Sequence, residues 1–246
     1  MTGTLSDAGS GVSLAYDAAT GGYTIRDATG ASTSFLPANR EANTAPGRSD
    51  AVATVYAKSS GNRDDELILF NPGSGNTQLA LTYVSYGAWQ ALTDNGATST
   101  LATQYFVFGI RQSPTQPSTG SASYTTKPDG LWVTPNGVYS LSGTSSFTAN
   151  FSAMTVSTQL NLTGTLATDS STTRSLGTFN GTGTIAALGG GFTGSFTQSG
   201  TDAGGNTYSG GFTGAFFGPQ GQEVGYSFRL TGTGGTAVGA VVGRGN

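Results

Sequence analysis

The chain has 246 residues, of which 40 are glycine, and 9% are charged, against about a quarter in an ordinary soluble domain. It contains neither cysteine nor histidine, which excludes disulfide frameworks, thiolate metal centres and any catalytic triad built on imidazole. The net charge is −3 and no basic run occurs, so the electrostatic footprint of nucleic-acid binding is missing.

In chain order, the N-terminal stretch Met1-Thr2-Gly3-Thr4 leads straight into Ser/Asp/Gly-rich sequence with no leader pattern. No apolar run approaches the ~18 residues of a membrane-spanning helix. Short strands are expected at Tyr23–Arg26, Ser34–Leu36, Ala51–Tyr56 and Glu66–Phe70, where β-branched and aromatic residues cluster between turn formers. The segment Ala38–Ala45 is the best helical candidate, and its composition reads more as loop. Arg63-Asp64-Asp65-Glu66 reads as a solvated turn before a strand, with Asp64 and Asp65 on opposite faces if extended. Leu79–Trp89 and Gln104–Ile110 follow as strands, and tyrosine and tryptophan are densest between Tyr83 and Phe108.

The run Gln112-Ser113-Pro114-Thr115-Gln116-Pro117-Ser118-Thr119-Gly120 cannot be a central strand, because proline removes ladder donors. It divides the chain into units 1–112 and 120–246, with 113–119 as linker. From Gly130 onward the charged residues are Arg174, Arg229, Arg244, Asp169, Asp202 and Glu223, and the rest lie earlier. Trp132 follows what reads as a Pro128-Asp129-Gly130 turn, and either a core or a surface role fits it.

Beyond that point strand patterns dominate. Met154–Leu166 alternates apolar and hydroxyl-bearing residues, the period of a half-buried strand. Met154, in that run, is read as a core residue. Further strands are expected at Gly120–Tyr124, Gly137–Ser142, Ser145–Phe151, Phe179–Ile185, Gly191–Thr197, Gly211–Phe217, Glu223–Leu230 and Ala237–Gly243. The motif Gly-Gly-Phe-Thr-Gly occurs at 190–194 and again at 210–214. About eight strands at this spacing make an up-and-down barrel. Glycine at inward positions lets a neighbouring aromatic fold over it. Alternation alone does not fix which face is inside, but mid-strand phenylalanines without rim girdles point away from a membrane barrel.

The run from Gly211 through Phe216-Phe217-Gly218-Pro219 to Glu223-Val224-Gly225, closing with Val238-Gly239-Ala240, resembles the last strands of the transferrin-binding-protein-B-like β-barrel family. Gly120–Tyr124 resembles the strand that opens that barrel. Leu81–Trp89 and Phe106–Gly109 resemble strands of the preceding handle domain. The resemblance implies an all-β chain: an N-terminal handle followed by a soluble eight-stranded antiparallel barrel. It further implies a non-catalytic protein at or released from the surface of a Gram-negative bacterium, lipid-anchored or secreted. Such a protein captures haem or a host iron protein for an outer-membrane TonB-dependent receptor. Haem-binding relatives of the haemophilin type hold iron through a handle histidine, which this chain lacks, so haem would have to be held through tyrosine or without strong axial ligation.

The aromatic cluster Tyr83, Tyr86, Trp89 and Tyr105 is the candidate ligand-binding set, with Tyr83 and Tyr86 on opposite faces if the strand is regular. Handle core is the competing role for the same residues. Glu223 is expected to bond backbone rather than ligand. No metal site or catalytic group is expected, since neither Lys58 nor Lys127 sits in an apolar run. The alternative reading is a Gly/Thr/Ser-rich structural surface protein, an adhesin or envelope-layer component.

Overall fold

A computed structural model of the chain describes residues 2–6, 11–42, 50–73, 76, 80–112, 119–187 and 190–246, the first stretch by its backbone. Among the described residues the fold is all-β apart from one 3₁₀ turn at Pro37–Asn39, which stands where the helical candidate begins. Residues 43–45 of that candidate, and 113–118 of the expected linker, lie outside the described residues.

Strands β1 (Thr2–Ser6), β2 (Ser13–Asp17), β3 (Gly22–Arg26) and β4 (Ser32–Phe35) form one antiparallel sheet. Strands β5 (Arg40–Glu41), β6 (Ala53–Ser60), β7 (Arg63–Phe70), β8 (Val84–Asp94) and β9 (Ser99–Gly109) form a second, in sequence order. Val12, Leu14, Ile25 and Phe35 of the first sheet pack on Leu67, Trp89 and Phe106 of the second. These apolar faces cover one another.

The third sheet is a closed barrel: β10 (Ser121–Thr134), β11 (Gly137–Asn150), β12 (Thr155–Leu166), β13 (Asp169–Ile185), β14 (Gly191–Ser199), β15 (Tyr208–Phe217), β16 (Glu223–Gly232) and β17 (Gly235–Gly245). Every neighbour pair is antiparallel, and β10 closes on β17 from Tyr124↔Gly245 to Val133↔Thr236. Closure leaves the barrel no free edge.

Alternation sends the aromatics inward. Phe147, Phe179, Phe192, Phe212, Phe216 and Tyr226 meet in one core, with Phe147 and Phe192 ring centroids 5.1 Å apart. The hydroxyl-rich positions face out, the reverse of a lipid-facing band. Glycines make room for the rings: a Cβ on Gly194 would lie 2.3 Å from Phe212, its cross-strand neighbour. The lumen is thus packed side chain to side chain, as an eight-stranded barrel permits.

Several local expectations need correcting. Pro128-Asp129-Gly130 is not a turn but lies inside β10, with Trp132 wholly buried in the barrel core. Pairing with β11 lapses between Thr126↔Ser145 and Gly130↔Leu141, while the register with β17 continues through Pro128↔Val241. Proline lacks the N–H one ladder needs, so the strand keeps its other neighbour there. The segments 137–142 and 145–151 are one strand, continuous through Gly143 at φ +154. Met154 packs against the core but from the turn before β12, at φ +55, rather than from a strand.

Candidate binding surface where handle meets barrel

Strand β8 divides its side chains between two partners. Val84, Tyr86 and Ala88 join Tyr105 and Val107 of β9 against the outer wall of the barrel, at Ala215, Phe217, Ala240 and Val242. Trp89, three positions after Tyr86, faces the other way into the N-terminal sheet. The candidate aromatics are therefore split between two clusters. Tyr86, Trp89 and Tyr105 are 8%, 4% and 8% exposed, and Tyr83 is half-buried.

Tyr83 and Tyr86 do not take opposite faces; both pack into the handle–barrel cluster. Tyr83 lies before β8 begins, so strand alternation does not govern it. Its ring covers Gly218, where a Cβ would stand 2.6 Å from the ring. Tyr86 stacks on Phe70 at 4.1 Å and donates its hydroxyl to Asp129 Oδ2 at 3.0 Å.

Glu223, at the start of β16, joins the two units. Its Oε1 accepts the Thr82 N–H at 2.7 Å, and its Oε2 accepts those of Tyr83 and Val84 at 2.7 and 2.8 Å. The carboxylate is 6% exposed. A buried carboxylate is tolerated when such charge-assisted bonds replace its water. The expectation that Glu223 bonds backbone is met, at a separation of 139 to 141 residues. Beside it Gly218 N–H donates to Ile110 C=O at 2.8 Å and Gln112 N–H to Phe216 C=O at 3.1 Å.

The acidic run is not a solvated turn. Arg63 begins β7, and Asp65 is 6% exposed on its inner face, with exposed Asp64 on the other. Arg63 Nε and Nη2 donate to the two Asp65 oxygens at 2.8 Å each, and Trp89 Nε1 donates to Oδ1 at 2.9 Å. The guanidinium also lies 5.7 Å from the Trp89 ring centroid. Burial raises the Asp65 pKa, but the bonds from Arg63 and Trp89 outweigh it and leave the carboxyl below its usual range.

Sequence reasoning missed a cleft of about 530 Å³ between β9 and the barrel wall. Thr103 and Tyr105 line one side, and Gly211, Thr213, Ser227 and Arg229 the other. Tyr105 is the candidate residue that reaches it. The available signal was Arg229, one of few cations in the glycine-rich half. Among the described residues, no group of three or more His, Cys, Asp or Glu could hold a metal ion.

Residues 82–244 match the family described as the C-lobe and N-lobe beta barrels of Tf-binding protein B. The chain belongs to that family. No curated protein matches it in sequence. Among solved structures, intact Ap-TbpB (N and C lobes) superposes with a TM-score of 0.54 at 12% identity, over 95% of this chain and 51% of that one. A double mutant of transferrin binding protein B from Haemophilus parasuis Hp5 gives 0.52 at 16% identity, over 100% of this chain and 44% of that one. At these identities the likeness is one of fold, and the chain spans about half the length of either structure. The matched residues include β8, β9 and the whole barrel, so the Glu223 junction lies inside the Tf-binding protein B lobe unit.

Proposed function

We propose that this chain is a non-catalytic, surface-displayed or secreted binding protein of a Gram-negative bacterium. In this reading it captures a host iron protein of the transferrin or lactoferrin class and presents it to an outer-membrane TonB-dependent receptor. Membership of the Tf-binding protein B lobe family carries the reading. The packed barrel interior supports it physically: with Phe147, Phe192, Phe212 and Tyr226 filling the lumen, recognition falls to the outer surface and the handle. Under this proposal Trp89 serves binding by fixing the handle's shape, and Tyr83, Tyr86 and Tyr105 by seating it on the barrel.

The test is binding of iron-loaded transferrin and lactoferrin, with their iron-free forms, to the immobilised chain. Saturable binding of one iron-loaded protein at or below about 1 μM supports the reading. No binding of either at roughly 100 μM overturns it. Haem held through tyrosine is the competing ligand, with Tyr105 at the cleft its best-placed contact. A Soret shift on adding haem, lost in Tyr105→Phe, would select it instead.

A further inference from the structure

We infer that the cleft beside β9 is a docking site for an extended acidic peptide segment of another protein, which adds to the outer edge of β9 as a further strand. Three observations converge on it. The first is backbone direction. Ile110 N–H bonds Tyr83 C=O and Asn95 N–H bonds Thr98 C=O at the two ends of the β8–β9 pair. The register between them is unbroken. Two-residue alternation then commits the even positions of β9 to β8 and turns the N–H and C=O of Leu101 and Thr103 outward. Among the described residues the sheet order ends at β9, so these groups meet no further strand of that sheet, and Thr103 lines the cleft. An edge of this kind is a template for strand addition.

The second is the side-chain lining. Thr103 lines the cleft, and its hydroxyl is buried without a hydrogen-bond partner. A buried polar atom left unmatched is destabilising, and an incoming polar group that reaches it recovers the loss. Leu92 and Leu101, a cross-strand pair on that same face, are 41% and 39% exposed. They set an apolar pair on the face of the sheet next to the edge, against which a side chain of an added strand can pack. The opposite wall is low, because Gly211 carries no side chain.

The third is charge. Arg229 is the charged residue among those lining the cleft, and it is exposed. Its guanidinium suits a carboxylate in bidentate fashion. The occupant is accordingly an extended segment that alternates apolar side chains with others and carries Asp or Glu opposite Arg229.

The experiment selects a random linear heptapeptide phage library on the purified full chain and uses no host iron protein, so its outcome is separate from that of the proposed function. Enriched peptides should alternate apolar and other residues and contain an acid. Arg229→Glu and Leu101→Ser, both at exposed positions and checked for native circular dichroism, should each weaken the best synthetic peptide about tenfold or more. Backbone N-methylation of the peptide should weaken it similarly, and its binding should slow amide exchange at Leu101 and Thr103. No enriched peptide, or peptides that bind both variants and tolerate N-methylation unchanged, would overturn the inference.

Discussion

Glu223 Oε2 on the barrel accepts the N–H of Val84 on the handle at 2.8 Å. β7 ends at Phe70 and its register with β8 begins at Leu69↔Gly87, so no β7 residue reaches that amide and the carboxylate takes the ladder's place. Glu223→Gln keeps the shape but turns an NH₂ toward backbone donors. We expect a loss of roughly 2–3 kcal/mol, about 5–10 °C in Tm for a chain of this size. Thermal melting of both proteins checks it, and an unchanged Tm would contradict the role given to the carboxylate.

Gly225 sits under Val84, where a Cβ would come 2.9 Å from Val84 Cγ2. Its position is on the outer wall, between inward Val224 and Tyr226. Gly225→Val should therefore unseat the handle without breaking the barrel. Limited proteolysis should then cut the handle while residues of the barrel stay protected. Equal resistance of variant and parent would show that the junction yields elsewhere.

Alkaline pH should weaken the barrel. Burial raises the Tyr226 phenol well above its ordinary range and pushes Tyr124 and Tyr208 up to about 12. Above about pH 10 the unfolded chain releases these protons and the folded one holds them, so stability falls as pH rises. Tyr226 shares a 2.7 Å bond with Thr158, whose hydroxyl also donates to Ser146 C=O. Tyr226→Phe should cost about 1 kcal/mol at neutral pH and flatten the alkaline decline, as read from urea midpoints at about pH 8 and pH 11.

In acid the handle should respond through Asp65. Its folded pKa is lowered, so its contribution is complete above the unfolded carboxyl value of about 3.9 and is lost as pH falls through the lower folded value. The drop in urea midpoint between about pH 6 and pH 3 should be smaller in Asp65→Asn than in the parent. An equal drop would assign the acid response to other carboxyls.

The barrel was largely legible in sequence, because period-two alternation with phenylalanine inside and threonine outside is a local signal. Its fine breaks were not. Pro128 and Gly143 read as punctuation, yet each sits inside a continuous strand: where β10 and β11 part, Pro128 stays paired with β17 and Gly143 with β12. β2 went unread because Ser-Leu-Ala-Tyr-Asp buries little beyond Leu14. Asp65 looked solvated because its partner Trp89 lies 24 residues on. The cleft was illegible for the same reason: Thr103 and Arg229 meet only when the handle lies across the barrel.

The junction also imposes an order of assembly. During synthesis the amides of Thr82–Val84 emerge well before the carboxylate they need, 139 to 141 positions later. The handle sheet can pair internally in the meantime, but its seat, Ala215, Phe217, Ala240 and Val242, is supplied by strands made after it. Docking of the two parts thus reports that the barrel has been built, and a chain stalled before β16 carries a handle with an uncovered apolar face that a chaperone or protease can recognise.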